Sequence, residues 1–119
     1  MRVVFIGSSK FGRRCLETCL NLSEINVVGV VTAPQKFSIS YRPSGVTNVL
    51  HADVDAVARS RNIPIQSLTQ SMSDPDLFAS LSKWNPGAFL VVGWYHMIPK
   101  RWRELAPAYG LHASLLPDY

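Results

Sequence analysis

Cysteine is scarce in this chain: Cys15 and Cys19 are the only two, four residues apart in a stretch with helical spacing. Two thiols on one face of one short segment cannot staple distant parts of a fold, so both are read as reduced core thiols and a disulfide framework is excluded. Long apolar runs are also missing, and none approaches the roughly 20 residues of a helical membrane span. Nor does a signal-peptide pattern open the chain, because Met1-Arg2 leads into a short apolar run and then Gly7-Ser8-Ser9. A cytoplasmic location without membrane association is the expectation. Charge of one sign is only mildly in excess, with 12 Lys and Arg against 8 Asp and Glu giving +4, paired at Arg13-Arg14 and grouped at Lys100, Arg101 and Arg103. Such a surplus fits either a solvated basic helix face or attraction to a polyanion, and charge alone does not choose between them.

What is present is the balance of a soluble globular domain, with 47% hydrophobic and 17% charged residues in a chain of 119. At this size about two-thirds of the unfolded surface can be buried, so one domain with an unstapled core is expected. The run Arg2-Val3-Val4-Phe5-Ile6 reads as a strand buried on both faces and breaks at Gly7. Helical spacing follows over 11–22, then a second buried strand over 25–31. Residues 34–52, with Pro34, Pro43, Gly45 and several serines, read as a long loop. A helix over 53–61 with Asp53 as cap, a short strand over 64–68 and a helix over 74–84 with Pro75 in its first turn come next. Asn85-Pro86-Gly87 stops that helix before the buried strand 88–92, a short basic helix over 99–105 and a last strand over 109–113.

Five strands alternating with helices predict an α/β, Rossmann-like open parallel sheet with helices on both faces. The most apolar strands belong at its centre, which gives the order 3-2-1-4-5 with the 64–68 strand counted third. In such sheets ligands bind beyond the carboxyl ends of the strands, where the strand order reverses. The first turn, Gly7-Ser8-Ser9-Lys10-Phe11-Gly12, keeps two glycines of a dinucleotide-binding turn but has Ser9 where a pyrophosphate needs a close backbone. The second strand ends in Val31-Thr32-Ala33, without an acid for a ribose hydroxyl, so dinucleotide binding is disfavoured. After the 88–92 strand comes Gly93-Trp94-Tyr95-His96-Met97-Ile98-Pro99, which suits either a lid over the core or a wall for a flat heterocycle. The chain then ends its last strand on His112, beside Ser114 and Pro117.

His112-Ala113-Ser114-Leu115-Leu116-Pro117 resembles the H-x-S-L-L-P signature of the folate-dependent formyltransferases, the family that includes enzymes formylating methionyl-tRNA. Val92, Gly93, Trp94, Tyr95, Met97 and Ile98 fall in a stretch that resembles the family's folate-pocket loop, and residues 2–12 resemble its opening strand and turn. The resemblance spans essentially all 119 residues and implies an N-terminal formyltransferase domain over 1–119, incomplete at its C-terminal end. It further implies 10-formyltetrahydrofolate as formyl donor, Val92, Gly93, Trp94, Tyr95, Met97 and Ile98 as its binding residues, and His112 as a catalytic residue. The family's catalytic set also has an asparagine two residues before the histidine, where this chain has Gly110, and an aspartate whose position lies beyond Tyr119. Losing one oxyanion donor typically costs about 10²–10³ in rate, so the isolated chain is expected to be inactive or a poor catalyst.

The acceptor implied is an amine, with methionyl-tRNA favoured by the basic charge and a nucleotide-linked amino sugar as an alternative. A non-catalytic folate or nucleotide binding module is the reading from another class. No metal is expected. A further segment or an oligomeric partner is expected to cover the exposed edge of the sheet.

Overall fold

The computed structural model describes residues 1–34, 54–68, 71–94 and 96–111, together with the backbone of 36–39 and 42–47. The apolar runs become strands β1 (Arg2–Gly7), β2 (Asn26–Thr32), β5 (Ile65–Ser67), β6 (Ala88–Val92) and β7 (Ala108–Leu111). Between them lie helices α1 (Lys10–Leu20), α2 (Val54–Ser60), α3 (Pro75–Lys83) and α4 (Lys100–Leu105). All four pairings of the five-stranded sheet are parallel, in the order β5-β2-β1-β6-β7. Counted among these five strands alone, that is 3-2-1-4-5, the order expected when the most apolar strands take the centre.

Side chains alternate across β1. Val4 and Ile6 join Val31, Phe89 and Val91 under Leu77 and Leu81 of α3 and Trp102 of α4. Phe5 points the other way and joins Val30, Val92, Leu16 and Cys19 of α1, and Val54, Val57 and Ala58 of α2. Helices thus cover both faces. Each fully buried side chain of Leu or Phe size, such as Phe5, Leu16, Leu81 and Phe89, stabilises the fold by about 1.5–3 kcal/mol. Cys15 and Cys19 are free thiols on the inner side of α1, and burial raises both pKa values, with the neighbouring Cys15 adding to the shift at Cys19. Both shifts favour the protonated thiol at neutral pH. Among the described residues no helix is long and apolar enough to cross a membrane.

Residues 34–52 are not one continuous loop. Strands β3 (Lys36–Ile39) and β4 (Arg42–Thr47) pair antiparallel as a separate two-stranded ribbon. Pro43 and Gly45 signal a loop, but both strands of a lone ribbon are edges, where a proline loses no ladder hydrogen bond it must make. Asp53, expected to cap α2, lies outside the described residues. So do residues 112 and 113 of the expected last strand.

One irregularity shapes the sheet. The β1–β2 register steps from Val3↔Val27 to Val4↔Gly29, leaving Val28 as an inserted bulge residue. Val27 and Val30 face the α1 side while Val28 and Val31 face the α3 side. Gly29 also faces the α3 side, for a Cβ on it would lie 2.2 Å from the Trp84 ring. Bulges put this kind of local kink into a ladder, and here the space it creates is filled by an indole. Gly29→Ala is therefore expected to lower unfolding free energy by about 1–3 kcal/mol, the usual cost of overpacking. Urea titration checks this, and the same substitution made in a Trp84→Leu background should cost markedly less.

Candidate functional site

The carboxyl ends of three strands meet at one edge: Gly7 of β1 is in register with Val92 of β6, and Val92 with Leu111 of β7. Between β1 and β6 the strand order reverses, because β1 is followed spatially by β2 on one side and by β6 on the other. Parallel sheets place their ligand crevice there. The turn after β1, the loop after β6 and the end of β7 form its described walls.

Ser9 organises the first wall. It is the N-cap of α1, extended at φ −96° and ψ 166°, and its hydroxyl oxygen accepts the Gly12 N–H at 2.9 Å. Capping by serine satisfies one of the free N–H groups at a helix start. That group would otherwise be open to an anion, so the cap works with the side-chain bulk against pyrophosphate binding. Gly7 lets β1 and β6 approach here, since a Cβ on it would lie 2.8 Å from the Val92 carbonyl oxygen.

The second wall begins at Gly93, whose φ of +57° is a left-handed conformation that favours glycine. Its N–H donates to the Leu111 carbonyl at 3.3 Å, tying the β6 and β7 ends together. From this turn Trp94 and Ile98 run back against the α3-side cluster, both half-buried, while Met97 stands 88% exposed. Val92 is wholly buried in the α1-side cluster, so what it offers the crevice is backbone. Tyr95 lies outside the described residues, as does His112, which directly follows Leu111 in the chain. Of the six loop residues expected to hold a heterocycle, Trp94 and Ile98 are half-buried against the α3-side cluster, Val92 is buried on the α1 side, and Met97 projects outward.

His96, absent from that expected set, stacks obliquely on Trp94 with ring centroids 5.4 Å apart and planes at 57°. Burial lowers its pKa below the ordinary 6.5. The Trp94 indole N–H is buried and has no hydrogen-bond partner among the described residues. Such a donor suits a ligand acceptor, because a buried N–H left without a partner is costly. The signal for His96 was in the sequence, since it sits between the loop's aromatic and apolar residues, yet only the geometry sets it against Trp94.

The basic segment divides. Arg101 lies over the Phe78 ring at 4.5 Å from its centroid and donates through Nη2 to the Ser73 carbonyl at 2.9 Å, bracing α4 against α3. Lys100 and Arg103 are exposed. On the other face, Phe11, Arg14, Cys15, Thr18, Leu90 and Leu111 line an open groove of about 320 Å³ between α1 and the β6–β7 side of the sheet. No group of three or more metal-ligating side chains occurs among the described residues.

No protein-family model matches the chain. Curated proteins similar to it are methionyl-tRNA formyltransferases. That of Chlamydia muridarum is 38% identical over 125 aligned residues, covering all of this chain and 36% of that protein. That of Nitratiruptor sp. is 32% identical over 122 residues, covering all of this chain and 37% of that protein. That of Synechococcus elongatus is 29% identical over 122 residues, with 36% of that protein covered. Along its whole length the chain is therefore a relative of the methionyl-tRNA formyltransferases, and it spans little more than a third of the length of these relatives.

A pH dependence follows from His96. Its folded-state pKa is lowered, so below the ordinary value of 6.5 the unfolded chain binds a proton that the folded chain resists. Stability contributed by the neutral, buried ring is present above pH 6.5 and is lost as pH falls toward the folded-state value. Melting temperatures measured from pH 7.5 to about 5 should fall less steeply for His96→Gln than for the parent.

Proposed function

We infer that this chain, related along its whole length to methionyl-tRNA formyltransferases, is the donor-binding part of a formyltransferase. In this reading it moves a formyl group from 10-formyltetrahydrofolate to an amine, with methionyl-tRNA as the acceptor, and residues 1–119 form one formyltransferase-like domain. The observation that carries the reading is the 38% identity to the Chlamydia muridarum enzyme across the full chain. The crevice supports it. A folate ring is flat, with donors and acceptors along its edge. Trp94 and Ile98 are half-buried just after the end of β6, and the Trp94 indole N–H has no partner among the described residues, which suits a ring held beside these strand ends. Val92 and Gly93 take part through backbone groups, while Tyr95 and Met97 are read as the outer rim.

When an amine attacks a formyl carbon, negative charge collects on the formyl oxygen, and a positioned donor lowers that barrier. His112 is the residue we assign to that role. It continues the β7 chain directly after Leu111, whose carbonyl is held by Gly93. Gly110, in register with Val91 of β6, brings no side chain to the same strand end, so His112 carries more of the burden. That glycine is also the observation favouring the second reading, a folate-binding module without transfer activity. The surplus of basic residues, +4 overall, suits a polyanionic acceptor such as tRNA.

Titrating the chain with 5-formyltetrahydrofolate while following tryptophan emission should give a saturable change, and Trp94→Ala should abolish it. No saturation up to millimolar ligand, or equal affinity for NAD, would sink the donor reading. For transfer, the aligned segment of the Chlamydia muridarum enzyme can be replaced by this chain and formylation of methionyl-tRNA measured. In that hybrid His112→Ala should lower the rate at least about 10²-fold and Gly110→Asn should raise it. A His112→Ala rate within a few-fold of the hybrid's would remove the histidine from the reaction.

A further inference from the structure

We propose that Ser9 is a positioning residue for the donor loop, acting as a fixed stop against which the turn at Gly93 rests. The proposal deepens the donor-binding reading and depends on it for its functional consequence. Its physical basis is the crowding around one hydroxyl. Ser9 is 7% exposed, and its oxygen is held in place by the Gly12 N–H at 2.9 Å. Gly93 lies close to the same oxygen: a Cβ built on it would come within 2.9 Å of that oxygen and 3.6 Å of the Ser9 Cβ. The cap therefore fixes the oxygen, and the oxygen fixes how closely the β6 turn can approach α1.

From Gly93 the constraint passes in two directions. Forward along the chain it sets where Trp94 leaves the strand, and hence the wall that continues to Ile98. Sideways, the Gly93 N–H holds the Leu111 carbonyl, the last described group before His112. One serine thus ties the start of α1 to the ends of both β6 and β7. A glycine in its place, as in a dinucleotide-binding turn, would leave an open nest for an anion and remove the stop. A capping residue of a different length would keep the helix start and move the turn.

That difference separates positioning from mere stability. Ser9→Asn retains a capping acceptor but is longer, so it should weaken 5-formyltetrahydrofolate binding at least tenfold while α1 stays formed by circular dichroism. Asp74→Ala removes the corresponding cap of α3, where the Asp74 carboxylate accepts the Asp76 N–H, and should leave that affinity within twofold of the parent. Gly93→Ala should also weaken binding at least tenfold, and in a Ser9→Ala background the further loss should shrink, because the 2.9 Å contact is gone and only the strained φ remains. Parent-like affinity of Ser9→Asn, or strictly additive losses in the Ser9–Gly93 pair, would overturn the proposal. If the parent chain itself fails to bind the ligand, it is the donor reading that falls. The Ser9–Gly93 coupling is then read from urea stabilities, where additive losses would overturn the contact itself.

Discussion

Everything at the candidate site depends on how closely β1 and β6 approach at their carboxyl ends. Gly7 and Val92 are in register, and no side chain fits on Gly7 because the Val92 carbonyl occupies that space. The approach is possible only because β1 stops being a strand there and enters α1 through a capped turn. Parallel pairing makes the remaining strand ends line up behind this pair, so β7 joins at Leu111 and the crevice forms at the point where strand order reverses. The hydrophobic clusters on the two faces hold the sheet, but the meeting of Gly7 with Val92 decides where its working edge lies.

The same crowding sets this turn apart from a dinucleotide-binding one. A dinucleotide-binding turn keeps its helix N–H groups free and its backbone bare so that a pyrophosphate can come close. Here the Gly12 N–H is already taken by Ser9, and a Cβ on Gly93 of the β6 turn would come within 2.9 Å of the same hydroxyl oxygen. What the site offers is a half-buried indole, a neighbouring imidazole held toward its neutral form, and backbone groups at strand ends. Under the proposed donor reading, such groups would orient a flat, polar-edged molecule.

Much of this was legible in the sequence because buried parallel strands are written as uninterrupted apolar runs. The apolar runs 2–6, 25–31 and 88–92 read as strands and form β1, β2 and β6, and their apolar character accounts for their central place in the order. The Asp74-Pro75 start of α3 was equally plain, with Asp74 accepting the Asp76 N–H. Features that depend on two distant segments were not legible. The bulge at Val28 goes with a Gly29 that faces the Trp84 ring on the α3 side, and nothing in the neighbouring sequence announces it. The β3–β4 ribbon hid behind Pro43 and Gly45, whose local signal is for a loop. Arg101 read as one of a basic group until its stacking on Phe78 separated it from Lys100 and Arg103. Ser9 was recognised as a misfit for dinucleotide binding, but its contact with Gly93 belongs to tertiary structure alone. Tyr95 and His112, both drawn from the sequence pattern, lie outside the described residues.

The distribution of polar groups gives the division of labour its physical form. Among the described residues the buried polar side chains are Ser8, Ser9 and Thr32, all at carboxyl ends of the central strands, and none of them titrates in the neutral range. Hydroxyls so placed can cap, space and orient, but they do not carry a proton through a reaction near neutral pH. Among the described residues no buried carboxylate stands beside them. These three hydroxyls can bind and position, so under the formyl-transfer reading the acid–base work falls to other groups. His112, one residue beyond the Leu111 carbonyl that Gly93 holds, is the nearest candidate along the chain. The frame and the reacting group would then be coupled through the parallel pairing of β6 with β7, Phe89 to Val92 against Ala108 to Leu111, which the Gly93–Leu111 hydrogen bond extends by one step.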